Sequence, residues 1–84
     1  MKLTFASEGW EDYVYWQKQD KRMVERINKL VLKVQRDPFA GVGKPEQLKH
    51  ALAGFWSRRI TDEHRMVYCI DGDALLIAQL RFHY

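Results

Sequence analysis

Cysteine occurs once in these 84 residues, proline twice and histidine three times, and no long apolar run interrupts the polar background. The lone thiol, Cys69, cannot form an internal disulfide; it fits a reducing compartment and reads as a small core residue. No stretch has the length of a membrane span, and the opening, Met1 to Ala6, lacks the apolar segment of a secretory signal. A cytoplasmic protein with no membrane partner is expected. His50, His64 and His83 are too scattered to make a metal motif, and Cys69 adds nothing to them, so neither a metal site nor a cofactor is expected. Gly41 and Gly43 lack the spacing of a dinucleotide fingerprint or a P-loop. Ser57 has no nucleophile-elbow context and Cys69 sits within an apolar strand, which argues against covalent catalysis.

What the chain does have is apolar and aromatic mass. Hydrophobic residues make up 46% and aromatics 13%, including three Trp and four Tyr, enough for one packed core. The length allows a single domain, 1–84, and no independent second module. The net charge of +3 suits an anionic partner without requiring one. Residues 1–41 hold 8 basic and 6 acidic groups and residues 42–84 hold 6 and 5, so a nucleic-acid site would have to arise from local clustering.

Period changes divide the chain. Lys2 to Phe5 reads as a strand, after which Ser7 can cap a helix with Glu8 and Glu11 near its positive end. Trp10, Tyr13, Val14 and Gln17 share a face of that helix and read as core rather than as a base-stacking cluster. Asp20 caps a second helix in which Met23, Val24, Ile27, Leu30, Val31 and Val34 recur at helical spacing. Asp37 followed by Pro38 ends it. Lys18, Lys21, Arg22, Arg26, Lys29, Lys33 and Arg36 line its polar side and approach, a run that reads as a solvated face or as a surface for ribosomal RNA or a dimer mate. Gly41, Gly43 and Pro45 mark a loop, and Glu46 to Lys49 starts a second strand.

From Phe55 onward the pattern alternates. Met66, Tyr68 and Ile70, with Ala74, Leu76, Ala78, Leu80 and Phe82, form two apolar sets that belong on the helix-packed side of a sheet. They share it if Asp71, Gly72 and Asp73 form a three-residue loop, a register that also puts Arg65 on the face of Arg81 and His83. A similar loop at Asp62, Glu63 and His64 would add Ser57, Arg59 and Thr61 to that face and leave Arg58 misplaced between Trp56 and Ile60.

Arg81, Phe82, His83 and Tyr84 place a guanidinium, an imidazole and a phenol beside a terminal carboxylate, where a solvated strand end is the alternative reading. With Arg65 and Glu46 they supply what metal-free RNA cleavage needs. A base frees the 2′-hydroxyl to attack the phosphate, an acid protonates the leaving 5′-oxygen, and arginine holds the equatorial oxygens. The carboxylate would favour imidazolium at His83 and so a general acid; a chain extended past Tyr84 should then lose activity. Glu46 lies among Lys44, Lys49 and His50, and by spacing alone it reads as a surface salt-bridge partner.

Across its whole length the chain resembles the YoeB toxins of the RelE and ParE superfamily of bacterial type II toxin-antitoxin systems. The residues that carry the likeness are Trp10 to Gln17; Asp20 to Arg22; Pro38, Phe39 and Gly41; Gly43 to Glu46 with Leu48 and Lys49; Leu52, Gly54 to Ile60; Glu63 to Arg65, Val67 and Tyr68; and the ending Arg81, His83 and Tyr84. The resemblance implies an α+β fold in which two N-terminal helices pack on one face of an antiparallel sheet of about five strands. It implies an mRNA interferase that enters the ribosomal A site and cuts the exposed codon. Glu46 would be the general base, His83 the general acid, Arg65 the phosphate clamp and Tyr84 a positioning or stacking group. Lys44, Lys49, Arg59 and Arg81 would support phosphate or ribosomal RNA. The partners implied are mRNA and the ribosome, a YefM-type antitoxin that covers or displaces the C-terminal tail, and a second copy in a homodimer, for which the Trp-rich first helix is a candidate surface. Two other readings compete: a ParE-like toxin that binds DNA gyrase without cutting RNA, and a non-catalytic RNA-binding module.

Overall fold

A computed structural model describes residues 1–41 and 44–82; Val42, Gly43, His83 and Tyr84 lie outside the described residues. The elements follow in the order β1 (Lys2–Phe5), α1 (Ser7–Gln19), α2 (Lys21–Arg36), β2 (Glu46–Gln47), a short 3₁₀ turn (His50–Leu52), β3 (Trp56–Arg59), β4 (Arg65–Asp71) and β5 (Ala74–Gln79). The strands form one sheet in the order β1-β5-β4-β3-β2. Helices and strands are thus those that the period changes imply, with one difference of topology. β1 runs parallel to β5, so the sheet is mixed, because the chain crosses the sheet through both helices before returning to pair with its first strand.

α2 forms as its spacing predicts. The Asp20 carboxylate accepts from the amides of Arg22 and Met23, and Met23, Ile27, Leu30, Val31 and Val34 are buried. Ile27 and Val34 are wholly inaccessible, so truncating Ile27 to alanine should cost about 2–5 kcal/mol. α1 departs from expectation. Ser7 is its first helical residue, Ala6 occupies the cap position and no side chain caps it. Its buried face is Gly9, Asp12 and Trp16. Trp10 is 51% exposed and stacks edge-on to Phe5 and face-on to Tyr13. Among the described residues no helix is long and apolar enough to cross a membrane.

The β4–β5 hairpin corrects the expected register. Asp71 pairs with Ala74, so the loop has two residues, with Gly72 supplying the positive φ of +62° at its first position. This puts Leu75 and Ile77, rather than Leu76 and Ala78, opposite Ile70 and Tyr68 and into the core. A two-residue loop alone would separate Arg65 from the face of the later β5 residues. A bulge undoes that: Tyr68 pairs with Ile77 but Val67 pairs with Gln79, leaving Ala78 as the extra residue. The one-residue shift restores the parity that had been expected, and Leu80 returns to the core. Phe82, expected in the apolar set, is 56% exposed.

Between β3 and β4, Arg59 pairs with Arg65 and Ser57 with Val67, two residues away from the expected register. A shift of two keeps every face unchanged. Arg58 therefore points into the helix-packed side, where it is fully buried. Its guanidinium donates to the Tyr68 hydroxyl at 3.1 Å and to the carbonyls of Asp37 and Ala40, and the Tyr68 hydroxyl donates in turn to the Pro38 carbonyl at 2.6 Å. Arg58 thus ties the end of α2 and the segment after it to the centre of the sheet.

Candidate active site on the sheet face away from α2

The ladder builds this site before any side chain is considered. Glu46 pairs with Ser57, Ser57 with Val67 and Val67 with Gln79, a row across four strands. Arg59 and Arg65 pair in the row two residues further along β3 and β4. Directly paired residues project from the same face, so Glu46, Ser57, Arg59 and Arg65 share the face opposite the core side chains Met66 and Tyr68. From strand spacing and rise, the Cα atoms of Glu46 and Arg65 stand about 12 Å apart. A glutamate and an arginine can span that with a phosphodiester between their charged ends.

Electrostatics favour an anion here. Nη1 of Arg65 and Nε of Arg81 are buried donors without an acceptor among the described residues, and the buried Ser57 hydroxyl is likewise unpaired. Unfilled buried donors are costly unless a ligand takes them. Glu46 is exposed, and it is in neither of the ion pairs Lys2 with Asp73 and Arg59 with Asp62 found among the described residues. Glu46 and Lys49 line one cleft of about 360 Å³ with Gln47, Leu48, His50 and Leu52. Lys44 and Lys49 are exposed, and Lys44 has a positive φ of 51°. The Arg81 guanidinium lies 3.6 Å from the Tyr15 ring centroid, a cation–π contact on α1.

The chain leading out of β5 is held firmly. The Asp12 carboxylate accepts the Leu80 amide at 2.9 Å and the Trp16 indole donates to the Leu80 carbonyl at 3.0 Å. The Phe82 amide donates to His64 Nδ1 at 2.8 Å, and the Arg65 amide donates to the Phe82 carbonyl at 3.1 Å. This segment therefore stands beside the Arg65 strand. His83 and Tyr84, named from the sequence, fall outside the described residues. Asp12, Trp16, Arg58 and His64 were not singled out by sequence reasoning as site-building residues. For Asp12 and Trp16 the signal was available: with Gly9 they recur at helical spacing, and an acid on a buried helix face needs a donor.

Burial raises the Tyr68 phenol above its ordinary value, with the Arg58 hydrogen bond and charge pulling the other way. Burial and then the Asp71 charge raise the Cys69 thiol, which makes it a poor nucleophile.

The model of the YoeB-like toxin of bacterial type II toxin-antitoxin systems matches residues 5–84. The chain belongs to this family. Toxin YoeB of Escherichia coli strain K12 is 60% identical over the full length of both chains. A YoeB/ParE toxin from Agrobacterium tumefaciens is 55% identical and superposes with a TM-score of 0.96, again over all of both chains. Staphylococcus aureus YoeB has been solved in a YoeB-YefM complex, 44% identical with a TM-score of 0.91, and as a YoeB dimer, 45% identical with a TM-score of 0.92. Each Staphylococcus comparison covers all of this chain and 98% of the other. The YoeB family therefore accounts for the two helices and mixed five-stranded sheet described above.

Proposed function

We propose that this YoeB-family toxin is a ribosome-dependent endoribonuclease that cleaves mRNA in the ribosomal A site and so stops translation. The observation that carries the reading is the strand register that lays Glu46, Arg59 and Arg65 on one face, with a buried Arg65 donor that has no acceptor among the described residues. Glu46 takes the proton of the 2′-hydroxyl, and the freed oxygen attacks the adjacent phosphorus. Arg65 donates to the equatorial oxygens as their charge grows. The bond to the 5′-oxygen breaks and His83 protonates it, with Tyr84 positioning or stacking on the nucleotide; these two roles rest on the family resemblance. Lys44, Lys49, Arg59 and Arg81 hold flanking phosphates or ribosomal RNA.

A YefM-type antitoxin and a second copy of the chain are the protein partners in this reading, supported by the Staphylococcus complex and dimer. Its setting is the cytoplasm, where translating ribosomes are.

The test is cleavage of a message on programmed ribosomes. Glu46→Gln should lower the single-turnover rate by about 10²–10⁴, as expected for loss of a proton-transfer group, and Arg65→Ala by about 10²–10³. Parent-like cutting by both variants would overturn the mechanism, and gyrase inhibition with intact mRNA would favour the ParE-like alternative.

A further inference from the structure

His64 lies outside the residues given roles above, yet it grips the segment that precedes residues 83 and 84. Its own backbone is fixed by the β3–β4 connection: its carbonyl accepts the amides of Ile60 and Thr61 at 2.9 and 3.1 Å, and its amide donates to the Thr61 hydroxyl at 3.2 Å. The ring is wedged between two aromatics, edge-on to Trp16 at a centroid distance of 4.9 Å and tilted against Phe82 at 5.2 Å. From that position Nδ1 accepts the Phe82 amide at 2.8 Å.

Three features give this contact weight. An amide can donate only to a lone pair, so Nδ1 carries no proton and, in the neutral ring, the proton sits on Nε2. Phe82 has a φ of +57°, a conformation that costs a non-glycine residue about 1–2 kcal/mol and persists only where neighbours hold it. Those neighbours are consecutive residues: His64 takes the Phe82 amide and Arg65 donates to the Phe82 carbonyl. Both backbone polar groups of Phe82 are thus held, one by the last residue of the β3–β4 connection and one by the first residue of β4.

We propose that His64 is a positioning residue: as the Nε2-protonated tautomer it fixes Phe82 in its positive-φ conformation beside the Arg65 strand. Its bearing on cleavage rests on the ribonuclease reading; its structural role does not.

The experiment pairs amide hydrogen exchange at Phe82 with single-turnover cleavage in the parent, His64→Phe, His64→Asn and His64→Gln. Phenylalanine keeps a ring between Trp16 and Phe82 but removes the acceptor. Asparagine restores an oxygen near the Nδ1 position, and glutamine places its amide one bond further out. His64→Phe and His64→Gln should speed Phe82 exchange at least tenfold and slow cleavage at least tenfold, while the amides of Met66 and Tyr68 exchange as before. His64→Asn should recover most of both losses. Equal Phe82 exchange in parent and His64→Phe would overturn the proposal, as would asparagine behaving like phenylalanine. The imidazole ¹⁵N spectrum of the parent needs no variant: a proton on Nδ1 would also overturn it. If the parent leaves mRNA intact, the ribonuclease reading fails, and exchange together with the tautomer still decides the role of His64.

Discussion

Arg58 and Arg65 carry the same guanidinium on neighbouring strands, and strand parity gives them opposite work. Arg58 faces the core with its donors spent on a phenol and two carbonyls; Arg65 faces the other way, and its buried Nη1 has no acceptor among the described residues. Removing Arg58 takes the donor from the buried Tyr68 hydroxyl and from the part-buried carbonyls of Asp37 and Ala40, at about 1–3 kcal/mol for each group left unsatisfied in the interior. Arg58→Met should therefore lower unfolding free energy by about 2–4 kcal/mol in denaturant titration, whereas Arg65→Met should change it by less than about 1 kcal/mol. The reverse ordering would contradict these assignments. Alternation made Arg58 look misplaced because its partners are carbonyls of a segment far away in sequence, which no local pattern reveals. Arg65, by contrast, was legible, since it flanks an apolar strand on the polar phase. Tyr68 adds a pH dependence. Its pKa is raised above 10.0 in the folded chain, so its contribution is complete below the unfolded value and is lost as pH rises through the folded one. Tyr68→Phe should flatten the fall in stability above about pH 10, and an unchanged slope there would sink the attribution.

At the scale of elements, α1 takes over where β1 ends. β1 pairs with β5 only as far as Ile77, and α1 then covers the next stretch, with Asp12 and Trp16 bonding both backbone groups of Leu80. Gly9 makes the approach possible. A Cβ there would overlap the Ile77 carbonyl oxygen and lie 3.0 Å from its carbon and 3.2 Å from that of Ala78, all backbone atoms that cannot swing aside. Gly9→Val should cost about 1–3 kcal/mol and loosen Leu80, so that its amide loses protection in hydrogen exchange; retained protection would contradict this role. The sequence suggested the wrong face for α1 because Trp10 and Tyr13 outweigh Gly9 and Asp12 in any hydrophobic pattern. The packing decides otherwise, since only the glycine side can reach the sheet. The hairpin register is ambiguous for a related reason. Apolar residues occupy both phases of Ala74–Leu80, so alternation could not separate a three-residue loop from a two-residue turn followed by a bulge.

For the whole molecule, the site depends on topology joining what the chain keeps apart. β2, which brings Glu46, lies at one edge of the sheet, and β4, which brings Arg65, lies inside it. β3 joins them, and its register aligns both residues on one face. Residues 80–82 reach that region from β5, pinned by α1 and by the β3–β4 connection. The helices, the five strands and the shared face of Ser57, Arg59 and Arg65 could be read from period and parity. The parallel first strand, the bulge and the His64 clamp could not, because each depends on contacts between distant segments; for Asp12 the helical spacing signals a buried acid but not the Leu80 amide that it meets.

The central claim is that side chains alone drive attack by the 2′-hydroxyl on the neighbouring phosphate. Mapping the termini of an mRNA cut on translating ribosomes tests it most directly. Attack by the 2′-hydroxyl leaves a 5′-hydroxyl on the downstream fragment and a 2′,3′-cyclic phosphate, or the 3′-phosphate it opens to, on the upstream one. A 5′-phosphate facing a 3′-hydroxyl would contradict it.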